Sequence, residues 1–357
     1  MNSVLSPELL WIGSRCYRVN IPSERRNDQE RVNINYEEEE FDCELDADDI
    51  YDEIEPIDNG TKFQLKMHIP SMFYSQIIGT KGATKKRLEQ ETSTQLTVPK
   101  IGSKDSNVLI IGKSRKNIVS MRNRLELIVV SGRAKQNFTH FLSISFTSSE
   151  IQENFNKFKN EILNDPEIYG IDESLFQKPQ KLHMTIGTLS LLDNEDRTRT
   201  AEMLQDCKEF IIDQILQGTE LKAKMVGLDY MNDDPSAVDV LYAKVVSENL
   251  QEISNGIAEY FSSRGFMQLK TDHVKLHVTL INSLFRDNDD AIIKDENQQR
   301  DSRDKDQGNR IKFDASKILK KYKDFYFGDI KVKEIHLSQR YSKASNGYYE
   351  ATGILKL

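Results

Sequence analysis

From residue 62 the chain alternates. In Lys62-Phe63-Gln64-Leu65-Lys66-Met67-His68 the apolar side chains fall on one side, the period-two pattern of a half-buried strand, and Pro70 and Ser71 end it. Residues 72–77 then read as a short helix and 83–91 as a second. Residues 95–99 and 107–112 read as strands, and 114–130 as a closing amphipathic helix with Ile118, Met121, Leu125 and Ile128 on one face. The predicted order is β-α-α-β-β-α. Downstream the pattern occurs twice. Strand 141–146, helix 151–163, strand 181–186 and helix 195–216 are matched by strand 240–245, helix 250–261, strand 275–280 and helix 315–322. Each copy closes with a strand, at 221–228 and 330–337. Such a repeat predicts two α/β lobes related by a pseudo-twofold axis.

A length of 357 residues suits two domains. No apolar run approaches the roughly 20 residues a membrane span needs, so no membrane partner is expected. The first residues lack a basic stretch followed by a long apolar one, so no secretory signal is expected. The three cysteines, Cys16, Cys43 and Cys207, are widely spaced, which predicts a reducing compartment and neither a disulfide framework nor a zinc site.

Charge changes the picture more. The net charge of −8 averages over unlike segments: residues 37–58 hold 13 Asp or Glu and no Lys or Arg, whereas 61–135 carry +11. Self-repulsion should keep the acidic tract extended, so 37–60 reads as a linker, either a plain spacer or a competitor with nucleic acid for the basic module. Residues 1–36 carry Val4, Leu5, Leu9, Leu10, Trp11 and Ile12. That segment is too apolar for a free tail and too short for a domain, so it docks either onto the chain or onto a partner. The domain reading is therefore 1–36, 37–60, a basic module at 61–135 and a mildly acidic domain at 136–357.

Within the basic module, Ile77-Ile78-Gly79-Thr80-Lys81-Gly82 joins the first two helices, and Leu88 and Thr92 follow it as parts of a longer pattern. Two glycines let the backbone approach a sugar-phosphate chain, and the following helix N-terminus presents unpaired N–H groups. Over about 62–132 this arrangement resembles the eukaryotic type I KH domain. The resemblance implies single-stranded RNA, or other single-stranded nucleic acid, as partner, with Ile78, Gly79, Thr80, Lys81, Gly82, Lys85, Lys86 and Arg87 as contacts. Lys85 stands where KH domains usually bury an aliphatic, so either the groove is polar or Lys85 points outward.

Three histidines open an H-x-[Ser/Thr] triplet, at His183, His277 and His336. Lys181-Leu182-His183-Met184-Thr185-Ile186 and Lys275-Leu276-His277-Val278-Thr279-Leu280 share four positions and an aliphatic sixth. In a strand, residues i and i+2 share a face, so His183 points with Thr185 and His277 with Thr279, and a pseudo-twofold brings both pairs into one cleft. Two imidazoles can divide general-base and general-acid roles in displacement at phosphorus. Two threonine hydroxyls can donate to the non-bridging oxygens. Neither strand offers a third metal ligand at usual spacing, so neither metal nor cofactor is expected.

Residues 137–357 thus resemble the two-histidine phosphoesterase (LigT-like) superfamily, including its AKAP7-like branch. The resemblance implies His183 and His277 as the acid/base pair and Thr185 and Thr279 as phosphate ligands. Tyr242, Ser338 and Arg340 are candidate contacts at the cleft rim. A KH domain fused to this domain is similar to the KH-containing subunits of the activating signal cointegrator complex. That likeness implies a nuclear protein, partnered by a helicase and other subunits, in transcriptional coactivation and alkylation-damage repair. The α+β chain is accordingly expected either to cleave a phosphodiester on RNA or to hold an RNA end as a scaffold subunit. The polar stretch 287–310, beginning eight residues after Thr279, is expected to be a mobile insertion, either a lid on the cleft or a tolerated surface loop.

Overall fold

The computed structural model describes residues 9–12, 15–18, 53–100, 102, 107–269, 271–286 and 311–357. The chain divides into two compact units, Met1–Gln136 and Asn137–Leu357. The stretch 287–310 lies outside the described residues, as does most of the acidic tract. In the N-terminal segment, β1 (Leu9–Ile12) and β2 (Arg15–Arg18) pair antiparallel.

In the first unit, β3 (Glu55–Ile57), β4 (Lys62–His68), α1 (Tyr74–Ile78), α2 (Ala83–Thr92), β5 (Thr94–Thr97), β6 (Asn107–Gly112) and α3 (Arg115–Arg133) follow in order. The strands form an antiparallel sheet β3-β4-β6-β5. Leu65, Ile77, Leu88, Leu96, Val108, Ile110, Ile118, Met121 and Leu125 are buried between sheet and helices, which is the face that the alternation and the helical period set out. Ser114 caps α3 by accepting from the Asn117 N–H.

The linker reading is corrected at its C-terminal end, where Glu55–Ile57 is a strand of the sheet. Asp58, Asn59 and Gly60 hold φ of 50°, 54° and 82°, and an Asn-Gly pair serves such left-handed hairpin corners. The acidic side chains here are met by basic or amide partners on β4. Lys62 pairs with Asp58 at 2.9 Å and the Gln64 amide donates to Glu55 at 2.9 Å, while Ile54 is buried. Like-charge repulsion therefore does not govern these residues.

The second unit contains β7 (His140–Ser145), α4 (Ser149–Leu163), β8 (His183–Leu189), α5 (Asn194–Cys207), a π turn (Lys208–Ile212), α6 (Asp213–Leu216), β9 (Lys222–Met231), β10 (Val240–Val246), α7 (Leu250–Ser263), β11 (His277–Asn282), α8 (Ser316–Tyr322), β12 (Tyr326–Lys331), β13 (Glu334–Gln339) and β14 (Ala351–Lys356). One antiparallel sheet runs β12-β9-β10-β11-β8-β7-β13-β14. The repeat is visible in it, with β7-β8 matched by β10-β11 and the two H-x-T strands adjacent at the centre. Each copy ends in a strand that pairs with the other copy: β9, which follows β8, pairs with β10, and β13, which comes after β11 and β12, pairs with β7. The expected strand at 330–337 is two strands, since β12 ends at Lys331 and extends β9 whereas β13 joins β7. Met184, Val278 and Ile144 point into a core shared with Phe155 and Phe158 of α4 and Ile253, Ile257 and Phe261 of α7. His183, Thr185, His277 and Thr279 therefore project from the opposite face.

Candidate active site and nucleic-acid interface

In the first unit, α1 stops because Gly79 takes φ 70°, ψ 177°, a region open essentially to glycine alone. A Cβ there would lie 2.9 Å from the Thr84 backbone nitrogen. Lys81 is left-handed at φ 52° and Gly82 at φ 77°. Thr80, Lys81, Lys86 and Arg87 are exposed, Gly82 is half-exposed, and Ile78 has 37% of its surface in solvent. Lys85 is partly exposed and lies 3.8 Å from Glu89, whose carboxylate accepts the Leu96 N–H of β5 at 2.8 Å. Lys85 thus leans along the α2–β5 side.

In the second unit, Met184 of β8 pairs with Val278 of β11. Carried one residue either way, the antiparallel register sets His183 beside Thr279 and Thr185 beside His277, at the roughly 5 Å spacing of cross-strand partners. The four groups form a rectangle with like groups at diagonal corners. His183 Nδ1 lies 2.7 Å from the Lys181 carbonyl, and His277 Nδ1 lies 2.7 Å from the Lys275 carbonyl. A carbonyl only accepts, so each Nδ1 carries the proton, and each neutral ring keeps a bare Nε2. Among the described residues neither Nε2 nor either threonine hydroxyl has a hydrogen-bond partner in the protein.

The surroundings keep both rings neutral. Burial brings the His183 imidazole down from the ordinary 6.5 to about 4, against the opposing pull of the Lys181 carbonyl, and charge on His277 and Lys181 acts in the same direction as burial. His277 is lowered too, by burial first and by Lys275. The lysine two residues before each histidine has a second use. Lys181 Nζ stands 4.3 Å from the Tyr349 ring centroid and Lys275 Nζ 4.6 Å from that of Tyr242, and each of these rings packs against the adjacent histidine. Among the described residues, neither motif histidine belongs to a group of three His, Cys, Asp or Glu close enough to hold a metal ion.

The walls are unequal. His183 is flanked by Phe141 at 5.2 Å and Tyr349 at 5.3 Å, and His277 by Tyr242 at 5.2 Å. Tyr349 sits on the β13–β14 loop, which Tyr348 pins by donating to Ser143 Oγ at 3.0 Å. Sequence reasoning did not single out this pair; its signal is Tyr348-Tyr349, two aromatics directly after the polar turn Ser345-Asn346-Gly347. The rim reading is corrected at three positions. Tyr242 is 1% exposed and forms the wall behind His277. Ser338 is fully buried and hydrogen-bonds Ser143 at 2.9 Å, tying β13 to β7. Arg340 lies at the far end of β7, where its N–H reaches the Thr139 carbonyl and its guanidinium stacks on Phe138 at 3.9 Å. Six residues of strand separate Thr139 from Ser145, the partner of His183, which is roughly 20 Å of rise. His336, the third motif histidine, contacts Glu334 at 3.0 Å and does not join the rectangle.

Comparison with known proteins matches residues 64–127 to the family model described as KH domain, and residues 138–357 to that described as AKAP7 2'5' RNA ligase-like domain. Among solved structures, the first KH type I domain of human vigilin is 23% identical, with TM-score 0.20, covering 22% of this chain and 80% of its own. TT0787 of Thermus thermophilus is 13% identical, with TM-score 0.39, covering 61% and 97%. A structure titled phosphoesterase is 12% identical, with TM-score 0.33, covering 62% and 96%. The mouse (Mus musculus) protein activating signal cointegrator 1 complex subunit 1 is 37% identical over 98% of this chain and 98% of its own length. With both domains matched in the same order and the likeness running nearly end to end, the chain belongs to the family of activating signal cointegrator 1 complex subunit 1.

Proposed function

We propose that the KH module holds single-stranded RNA and that the two-histidine cleft cleaves a phosphodiester on that RNA by metal-independent general acid/base catalysis. The observation that carries this reading is the matched pair of Nδ1–carbonyl hydrogen bonds, which leaves two bare Nε2 atoms and two threonine hydroxyls on one face. A phosphodiester in the rectangle brings a negative charge that favours protonation of one imidazole. The protonated ring donates to the leaving oxygen, the neutral one takes the proton of the attacking hydroxyl or water, and Thr185 and Thr279 donate to the non-bridging oxygens. The low proton affinity of the free site supports a second reading, in which the cleft holds an RNA end without turnover.

The protein acts, on this proposal, as a nuclear subunit of an activating signal cointegrator complex, beside a helicase and other subunits, in coactivation and alkylation repair. The relative's name, which describes a complex subunit, supports the assembly part of that reading. The test is incubation of the pure full chain with RNAs bearing 2',3'-cyclic, 3'–5' and 2'–5' linkages, with and without chelator. Product from one class, undiminished by chelator, is expected; binding without product establishes the second reading.

A further inference from the structure

The helix after β8 changes pitch where it leaves the core. Its buried positions run Asp196, Thr200, Met203, Leu204 and Cys207, at steps of three or four, and the next are Ile212 and Leu216. The five-residue step from Cys207 to Ile212 is the π turn Lys208–Ile212. An α-helical step of four would have put Ile211 in the core. The extra residue instead leaves Ile211 on the flank and Phe210 with 63% of its surface in solvent. π turns cluster at functional sites.

Opposite stands α7, and the two elements close at Gly256, where a Cβ would meet Ile211 Cγ2 at 3.0 Å. Above this contact lies an open groove of about 520 Å³. Phe210, Ile211 and Ile215 give it an apolar floor, Glu248, Glu252 and Glu259 give it an acidic rim, and among the described residues no lysine or arginine lines it. The buried side of α7, with Ile253, Ile257 and Phe261, faces the core on the Met184 and Val278 side of the sheet. The groove therefore opens on the helical side, away from His183 and His277, and its carboxylates repel a polynucleotide.

We propose that this groove docks an amphipathic helix of a partner protein, one that sets aliphatic side chains on Phe210, Ile211 and Ile215 and lysine or arginine against the three glutamates. Helix-in-groove recognition of this kind reads an apolar stripe, and the rim charge selects a basic flank. The docking is independent of whether the cleft cleaves or only binds, because it uses the other face of the sheet.

The probe is a fluorescein-labelled model helix of leucine and lysine, titrated into the full chain at low salt and followed by anisotropy. Phe210→Asp and the charge reversal Glu252→Lys/Glu259→Lys are each expected to weaken it by about tenfold or more, as for a central anchor and a desolvated rim. Both change solvent-facing side chains, and unchanged unfolding midpoints will show that the fold is kept. A leucine–glutamate helix with the same apolar stripe is expected not to bind. Equal binding of the two helices overturns the proposal. So does unaltered binding by both variants, which would place the basic peptide on the acidic tract. Self-association of the chain that Phe210→Asp abolishes would assign the groove to a second copy and likewise overturn it.

Discussion

Met184 lies directly opposite Val278 across β8 and β11, and that pairing is what converts two similar hexapeptides into one site. Because side chains alternate, a slip of one residue would send one H-x-T pair into the core and bring an aliphatic out in its place. Both paired residues are fully buried, so the hydrophobic face holds the register and the polar face inherits its geometry.

The diagonal arrangement makes the two histidines non-redundant. His183→Ala and His277→Ala are each expected to lower turnover by about 10²–10⁴, the usual worth of one acid or base, and the double variant to lose little more than the worse single one. Thr185→Val and Thr279→Val are expected to cost about 10² each, as lost donors to a developing oxyanion do. Single-turnover cleavage in the presence of chelator measures all five. Full rate in either histidine variant sinks the acid/base assignment.

Tyr349 and Phe141 pack against His183, whose burial takes it to about 4. Removing the wall in Tyr349→Ala is expected to move the His183 pKa up toward 6.5 and leave His277, which packs on Tyr242, where it is. Ring-proton titration by NMR reads both. The same shift has a stability consequence, shared by His140, which burial first and Arg197 second also bring to about 4. The unfolded chain binds these protons near 6.5 and the folded chain does not until about 4. Their stabilising contribution is therefore whole above pH 6.5, falls as pH drops through that window and is gone below 4. Urea midpoints between pH 7 and 4 should fall, and should fall less in His140→Gln.

Much of this was legible in the sequence because the signals are local. The alternation from Phe63 to Met67, the Gly79–Gly82 turn and the duplicated Lys-Leu-His-x-Thr each depend on residues within one element. What was not legible depends on long-range pairing. Ser338 reads as a rim group from its triplet, yet the β13–β7 pairing buries it against Ser143. Arg340 reads as its neighbour and is carried to the other end of the strand. Tyr349 reaches His183 only because Tyr348 finds Ser143, more than two hundred residues away in the chain. The β3 strand was hidden differently: charge counting averaged over Asp58-Asn59-Gly60, whose turn chemistry outweighs its charge.

In the KH module the exposed middle of the glycine turn carries the expected RNA contact. Thr80→Asp/Lys81→Asp places two negative charges at the phosphate path and is expected to weaken single-stranded RNA by tenfold or more with the unfolding midpoint unchanged. Gly79→Ala differs, because its left-handed φ and the Thr84 contact make it a folding defect. Lys85→Ile removes a partly exposed pair with Glu89 worth about 0–1 kcal/mol, so it is expected to leave stability nearly alone and alter base preference. An unchanged preference across homopolymers would place Lys85 outside the groove.

Whether the acidic tract competes for the same basic surface can be tested by deletion, and the position of β3 limits how. Deletion must stop before Ile54, since Ile54 is buried and Glu55–Ile57 pairs with β4; a longer cut would damage the sheet and confound the result. Removing 37–52 takes away ten acidic residues and no basic ones. If those charges shield Lys81, Lys86 and Arg87, RNA affinity is expected to rise at low salt, because the interaction between exposed charges then reaches farther. The advantage should shrink as salt rises and the screening length drops to about 8 Å near physiological ionic strength. The steepness of log affinity against log salt should also increase, since phosphates rather than carboxylates would then neutralise the module. Parallel lines of equal affinity for the intact and shortened chains would make the tract a spacer and assign it no share in RNA binding.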